Sequence, residues 1–314
     1  MIRIGLMFPP FHDPVDAGPL ARQAEAAGFD FFACGEHVFF HGPVPNAFIT
    51  LAAAAATTER IRLLSALTVL PMYPVALAAK LITTLDRVSG GRFDLGVGVG
   101  GEYPPEFEAV GIPVAQRGKR TDEALELLER LYTGNPVSFD GQFTTLTGQQ
   151  LNPRPVQQPA PPVWIGGRRP AAMRRAARYG DVWLPYLVSP PQLAESLTRV
   201  RELAEELGRA TSSVSGAVFC WSAVGRDATW ARRTAIETVS SIYQQDFTRL
   251  ADSYLVTGSP AQVTDRLAQF VDAGATSVVF APACEKEQQP KVFDSFVTDV
   301  MPALRGRSQA TVHG

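Results

Sequence analysis

The sequence has few cysteines, and the three that it has stand far apart. Cys34, Cys220 and Cys284 show neither pairing nor metal-ligand spacing, which argues against a disulfide framework and a zinc site. We expect these thiols to behave as small buried hydrophobic side chains. An excess of one charge is also lacking, since 29 Lys and Arg face 31 Asp and Glu. This balance gives no electrostatic basis for binding nucleic acid or an anionic membrane surface.

Long apolar runs are scarce as well. The opening segment MIRIGLMFPP lacks the apolar core of a signal peptide, and no uninterrupted apolar run approaches the roughly 20 residues that span a bilayer. We therefore expect a cytoplasmic protein. A hydrophobic content of 46% over 314 residues is enough for a large core. We expect one domain over residues 1–305 and a disordered tail at residues 306–314.

Residues 61–102 have the pattern of a complete strand, helix and strand unit. Residues 61–70 are rich in branched apolar residues and predict a strand buried on both faces. Residues 74–88 carry leucines at helical spacing behind a proline, and residues 92–99 predict a second strand that runs into glycines. Such a unit implies parallel strands with a right-handed crossover. Its glycine-rich exit lies at the carboxyl end of a strand, where α/β proteins bind ligands.

The whole chain repeats this alternation of strand and helix. Strands are predicted at residues 3–8, 30–34, 61–70, 92–99, 162–167, 182–185, 214–224 and 276–280. Eight strands alternating with helices favour an α/β fold of the (β/α)8 TIM-barrel type, with an open doubly wound sheet as the alternative. We expect insertions after strands 4 and 7, the first with a hairpin at residues 137–143 that turns at Asp140 and Gly141.

Glu36 and His37 follow the second predicted strand, and both are candidate catalytic residues. An imidazole at the mouth of a barrel could take or give a proton near neutral pH. A histidine that only forms structural hydrogen bonds, beside a solvated glutamate, is the alternative interpretation.

Glycines follow the fourth and fifth strands. Gly166, Gly167 and Arg168 precede a helix, where free backbone N–H groups and the helix dipole favour a phosphate and an arginine adds charge. A tight turn with a solvated arginine is the alternative. The glycine run from Gly96 to Gly101 is a weak dinucleotide fingerprint, because no helix follows it at once. It is better interpreted as a wall, including Gly98, Val99 and Gly100, against which a flat ring lies.

Several of these motifs together resemble the bacterial luciferase-like family, which comprises flavin-dependent monooxygenases and oxidoreductases that use the deazaflavin coenzyme F420. They are GEH, TVLPMYPVALAAKLITTLDRVSGGRFDLGVGVG, RGKRTDEALELLERLYTG and PPVWIGGRRPAAMRRAARYGDVWLP. The resemblance is strong over residues 1–185 and continues in GSPAQVTDRLAQFVDAGATSVVF. It implies a barrel with an isoalloxazine-type ring in its mouth. It also implies a non-proline cis peptide on the third strand, matched here by Thr68-Val69.

The resemblance also implies roles for individual residues. His37 would handle a proton or contact the ring, with Glu36 beside the cofactor. The remaining cofactor contacts would come from Thr68, Val69, Gly98, Val99, Gly100, Gly166, Gly167 and Arg168. The chain departs in two places from the sugar-phosphate dehydrogenases of the family. Gly101 occupies the position of their catalytic acid, with Glu102 one residue further on. The position of their tryptophan falls at or near His41. We therefore do not expect a sugar phosphate as substrate.

The resemblance leaves three functions open. We expect an F420-dependent oxidoreductase that transfers a hydride to or from an apolar or aromatic organic substrate. The alternatives are an FMN-dependent monooxygenase that uses O2 and a separate flavin reductase, and a non-catalytic flavin-binding protein. Further expectations are a homodimer, a possible flavin or F420 reductase as partner, and no metal. The residues expected to face the substrate are Phe8, Phe40, His41, Tyr73 and Glu102.

Overall fold

Eight parallel strands close into a barrel in the computed structural model, which describes residues 2–310 and the side chains of residues 2–307. The strands are β1 (Arg3–Met7), β2 (Phe31–Cys34), β3 (Arg62–Ser65), β4 (Phe93–Gly98), β5 (Val163–Gly166), β6 (Val182–Leu184), β7 (Ser215–Val224) and β8 (Ala275–Pro282). Each strand pairs with the next along the chain, and β8 pairs with β1 to close the ring. The closed ring confirms the predicted barrel and excludes the open sheet.

Helices surround this ring. Within residues 2–310 the α-helices are α1 (Ala17–Ala26), α2 (Ala47–Ala55), α3 (Val75–Val88), α4 (Pro104–Ala109), α5 (Arg117–Tyr132), α6 (Pro170–Tyr179), α7 (Pro190–Glu206), α8 (Ala228–Tyr243), α9 (Ala251–Tyr254), α10 (Pro260–Asp272), α11 (Gln289–Ser295) and α12 (Met301–Ala310). Neighbouring strand residues alternate between two cores, as the period of a strand requires. Phe31 packs inside the ring with Trp164, whereas Phe32 packs outward against the helices. The three cysteines are free and buried, as predicted.

Both predicted insertions are present. A hairpin of strands Val137–Asp140 and Thr145–Gln149 lies between α5 and β5. After β7 the chain forms α8 and α9 and then a short strand, Val256–Gly258, which pairs with the end of β7. These segments leave the carboxyl ends of the barrel strands facing a common mouth.

The third strand is shorter than the sequence pattern predicts. It ends at Ser65, and Thr68–Val69 form a separate two-residue strand against β4. The non-proline cis peptide joins Ala66 and Leu67, so its predicted position at Thr68-Val69 is wrong. The physical reason lies in the glycines opposite: a Cβ on Gly166 would stand 2.0 Å from Leu67 Cδ1, and one on Gly96 would stand 1.9 Å from the carbonyl oxygen of Ser65. The absence of side chains at Gly96 and Gly166 leaves room for Leu67, and the third strand breaks off from the barrel at this point.

The two glycines predict different responses to an added methyl group. Gly96→Ala places its Cβ against a backbone oxygen that cannot rotate away, so we expect a loss of about 3 kcal/mol in the free energy of unfolding, at the upper end for overpacking. Gly166→Ala meets only the end of a leucine side chain, so we expect about 1 kcal/mol. Urea unfolding measures both losses. In the Leu67→Ala background, the loss in free energy of unfolding caused by Gly166→Ala should shrink, whereas the loss caused by Gly96→Ala should stay. If Leu67→Ala changed both losses equally, this explanation would be wrong.

The end of the chain also differs from expectation. Helix α12 continues through Ala310, so residues 306–310 are helical where a disordered tail was predicted, and residues 311–314 lie outside the described part. Arg305 holds this helix to the barrel, because its Nη2 donates to Asp30 Oδ2 at 2.8 Å and to the carbonyl oxygen of Gly28 at 2.9 Å.

Candidate active site

A cavity of about 510 Å³ opens at the carboxyl ends of the barrel strands. Its size is typical of small-molecule sites. The residues predicted for cofactor or substrate that line it are Phe8, Glu36, His37, Phe40, His41, Val69, Gly98, Val99, Gly100, Glu102, Gly166 and Gly167. Three predicted residues do not line it, namely Thr68, Tyr73 and Arg168. Thr68 is fully buried, Tyr73 is half-buried with its hydroxyl on Glu36, and Arg168 is exposed.

His37 is held by a carboxylate that the sequence analysis missed. Its Nδ1 lies 3.2 and 3.1 Å from the two carboxylate oxygens of Glu106, a fully buried residue on α4, and the backbone N–H of Val38 donates to the same carboxylate at 3.2 Å. Because a carboxylate only accepts, Nδ1 is the donor, which leaves Nε2 of a neutral ring to accept a proton. The side chain of His37 is 20% exposed, so the ring remains accessible.

Glu36 is engaged entirely with the protein. Its Oε1 accepts from the N–H of Val69 at 3.0 Å, and its Oε2 accepts from Asn46, from the N–H of Ala47 and from the Tyr73 hydroxyl at 3.0 to 3.2 Å. Burial raises the pKa of this carboxyl, and these hydrogen bonds oppose the increase. The four bonds tie the segment after β3 and the start of α2 to the residue next to His37.

The glycine wall is filled from behind by the segment after β3. Gly100 has φ +60°, and a Cβ there would lie 2.7 Å from Val69 Cγ1. A Cβ on Gly98 would lie 3.3 Å from Leu67 Cβ. Thr68 is fully buried, and its hydroxyl has no hydrogen-bond partner among the described residues. The glycines thus allow the close approach of Leu67 and Val69, whose side chains reach the cavity.

The turn from β5 into α6 adjoins this wall. Gly167 has φ +118°, and α6 begins three residues later at Pro170. The backbone N–H groups of Arg168 and Arg169 have no hydrogen-bond partner among the described residues. Free N–H groups and a helix amino terminus at one place suit a phosphate.

Aromatic rings form the opposite side of the cavity, and the sequence analysis missed most of them. The ring centroids of Phe219 and Trp221 are 5.4 Å apart, and those of Tyr186 and Tyr243 are 6.0 Å apart. Trp221 Nε1 donates to the Tyr186 hydroxyl at 3.3 Å, and burial raises the pKa of Tyr243 to about 12. The spacing of Phe219 and Trp221 on one face of β7 was a usable signal.

Phe40 connects the two sides of the cavity. Its ring stacks on His37 with centroids 4.2 Å apart and meets the Tyr243 ring edge-on at 5.9 Å. His41 is exposed, and its ring centroid lies 5.1 Å from that of Tyr103. The structure therefore brings His37, Phe40 and the aromatic side together, while His41 stays at the rim.

Residues 3–277 match the family model of the luciferase-like monooxygenases. The chain belongs to this family. An uncharacterized protein from Mycobacterium tuberculosis is 35% identical over 211 residues, which cover 61% of this chain and 72% of that protein. The F420-dependent glucose-6-phosphate dehydrogenase of Kineococcus radiotolerans is 28% identical over 320 residues, which cover 93% of this chain and 94% of that protein.

A solved structure supports the luciferase-like fold. The monooxygenase RslO1 from Streptomyces bottropensis superposes with a TM-score of 0.84 at 23% identity and covers 96% of this chain and 99% of that chain. The predicted family and fold are confirmed. Among the residues that the structure describes, no helix is both long enough and apolar enough to cross a bilayer.

Proposed function

We propose that this luciferase-like chain is an F420-dependent oxidoreductase that transfers a hydride between the deazaflavin and an organic substrate. The observation that carries the proposal is the pairing of His37 with the buried Glu106 at the edge of a largely apolar cavity. Such a pair supplies a proton relay, which is the one protein group that hydride transfer requires besides an oriented ring. The Kineococcus relative, matched over 93% of this chain, is F420-dependent by name.

The residues of the cavity fit such a cofactor. The cradle at Gly167 and the start of α6 would hold a phosphate through free N–H groups. Leu67, Val69 and Gly98 would lie against the ring. Arg168 is exposed beside the cradle, where it would add charge. When bound, the deazaflavin supplies two-electron hydride chemistry.

The side chains then divide the remaining work. His37 Nε2 accepts or donates the proton at the substrate atom that loses or gains it, and the Glu106 carboxylate holds the ring and stabilises the charged imidazolium. Glu36 fixes the backbone of Val69. Phe40, Tyr186, Trp221 and Tyr243 exclude water and present apolar surface to the substrate.

Cofactor titration tests the proposal. The purified protein, followed by fluorescence, should bind F420 with a Kd of about micromolar order and FMN at least about tenfold more weakly. Gly167→Val should weaken F420 by about tenfold or more, because the new side chain adopts φ +118° only with strain and a Cβ there would lie 2.8 Å from Ala172 Cβ.

Arg169→Ala and Arg168→Ala form a matched pair of controls for that experiment. Only an arginine that contacts the phosphate should change the salt dependence of binding. Tight binding of FMN without F420 would replace the proposal with the FMN-dependent monooxygenase and its separate reductase. Binding of either cofactor with full cellular function of His37→Asn would indicate a non-catalytic flavin-binding protein.

A further inference from the structure

The charges around the cavity are unevenly distributed. The described residues that line the cavity include no lysine or arginine, but they include the carboxylates Glu36 and Glu102. Glu36 is fully occupied by protein donors. Glu102 has no ion pair or hydrogen bond within the described residues and is exposed to the cavity and solvent. The nearby Arg117 stands behind Gly101, outside the lining, and donates to the carbonyl oxygen of Val114 at 2.9 Å.

Glu102 lines the same cavity as Phe40, Tyr186, Trp221 and Tyr243, and the ring of its neighbour Tyr103 meets the Phe40 ring edge-on with centroids 6.3 Å apart. Burial is the main cause that raises the pKa values of Tyr186 and Tyr243, and the Glu102 carboxylate raises both further. The negative charge therefore lies close enough to both phenols to oppose their ionisation. The same rings adjoin Trp221 and Phe40, with centroids 6.3 and 5.9 Å from Tyr243.

We propose that Glu102 and the surrounding rings of Phe40, Tyr186, Trp221 and Tyr243 form a subsite for a cationic group of the substrate, a protonated or quaternary amine. Aromatic faces attract cations through the ring quadrupole, and the attraction grows when water is excluded. A carboxylate beside them supplies the opposite charge. The inference rests on the proposed function, because it names the substrate class of the same cavity.

The position of the subsite matches a substrate bound at two points. His37 stacks on Phe40, and Phe40 contacts Tyr243, so the amine end would lie on the far side of Phe40 from the proton relay. Glu102 would then orient the substrate without touching the reacting atoms. An anionic group at this end would meet an unpaired carboxylate and no lysine or arginine in the cavity lining, so the subsite selects against phosphates and carboxylates.

Three probes of similar size and different charge test the subsite. They are benzyltrimethylammonium, benzyl alcohol and benzoate, titrated by calorimetry into the protein with and without F420. We expect the cation to bind about tenfold more tightly than the alcohol, as a partly desolvated cation–π contact gives, and benzoate to bind most weakly. Glu102→Gln should bring the cation to the level of the alcohol and leave the alcohol unchanged.

Two further variants keep the test decisive. Glu102→Asp retains the charge and should retain part of the preference, and Glu108→Gln removes an exposed carboxylate outside the cavity and should change nothing. Equal binding of all three probes, or a preference for the cation that survives Glu102→Gln, overturns the subsite. Intact charge selectivity in a protein that does not bind F420 would instead overturn the proposed cofactor and leave the subsite standing.

Discussion

His37→Asn is expected to lower kcat by about 10²- to 10⁴-fold, the range that positioned general acid–base groups contribute. The side chain of His37 is the exposed end of a hydrogen bond to Glu106, a residue with no exposed surface. Asparagine is smaller and cannot exchange a proton near neutral pH. F420 binding should change little, because the proposed phosphate cradle lies on a different loop. Steady-state turnover and cofactor titration on the same preparation measure the two effects separately.

Glu106→Gln should reproduce part of that loss, since an amide can accept from Nδ1 but cannot stabilise the imidazolium by charge. Glu108→Gln on the same helix is the matched control, because Glu108 is exposed and should leave kcat unchanged. Unimpaired turnover of His37→Asn would remove the histidine from the mechanism. Equal losses for Glu106→Gln and Glu108→Gln would remove Glu106.

Arg62→Met is expected to lower the free energy of unfolding by about 3–5 kcal/mol, the cost of leaving a buried charge without its partner. The partner is Asp94 on β4, which is 1% exposed. Arg62 Nε donates to Asp94 Oδ1 at 3.2 Å and Arg62 Nη2 donates to the same oxygen, while Trp164 Nε1 donates to Oδ2 at 3.2 Å. Methionine keeps the aliphatic packing and removes the charge. Urea unfolding with the linear extrapolation measures the change.

The pH dependence identifies the cause of that loss. Burial raises the pKa of Asp94 above its ordinary value of 3.8, and Arg62 opposes the increase. An acid with a raised pKa in the folded state destabilises the fold as pH rises through the interval between the unfolded and folded values. Arg62→Met raises the folded pKa further, so its free energy of unfolding should fall with rising pH more than that of the wild type.

Two variants complete the test of this ion pair. Asp94→Asn in the Arg62→Met background should recover part of the stability and remove the additional pH dependence. Arg60→Met, which removes an exposed arginine two residues away, should stay within about 0.5 kcal/mol of the wild type. If Arg62→Met lowered the free energy of unfolding by the same amount at every pH, lost packing rather than the unpaired charge of Asp94 would be the cause.

The barrel was predictable because each strand and helix carries its signal locally. Eight apolar segments alternate with capped helices, and the closed ring follows from that order. The end of the third strand was not predictable. Residues 61–70 read as one stretch rich in apolar residues, and the interruption after Ser65 depends on space that Gly96 and Gly166 provide from β4 and β5. Periodicity along one strand carries no information about a gap in its neighbours.

The candidate site divides in the same way. His37 stood out because it follows a strand, and the structure places it at the cavity. Its partner Glu106 lies in a proline-rich segment without period, where nothing distinguishes it from the exposed Glu108. Tyr243 stands at the end of a long helix far along the chain and reaches Phe40 only through the tertiary fold. Pairs that form between distant loops leave no spacing rule in one sequence.

The four hydrogen bonds to Glu36 restrict where substrate and product can enter and leave the cavity. They join the segment after β3, the start of α2 and Tyr73 into one block, so this side of the mouth has little freedom to open. Two other segments at the mouth, after β1 and after α8, have φ +66° at Phe11 and +50° at Gln244, conformations that cost energy for residues with a Cβ. We therefore expect the mouth to open more easily at these two segments than at Glu36, so that substrate and product pass by Phe11 and Gln244. A cofactor seated against Val69 could then stay in place through many turnovers.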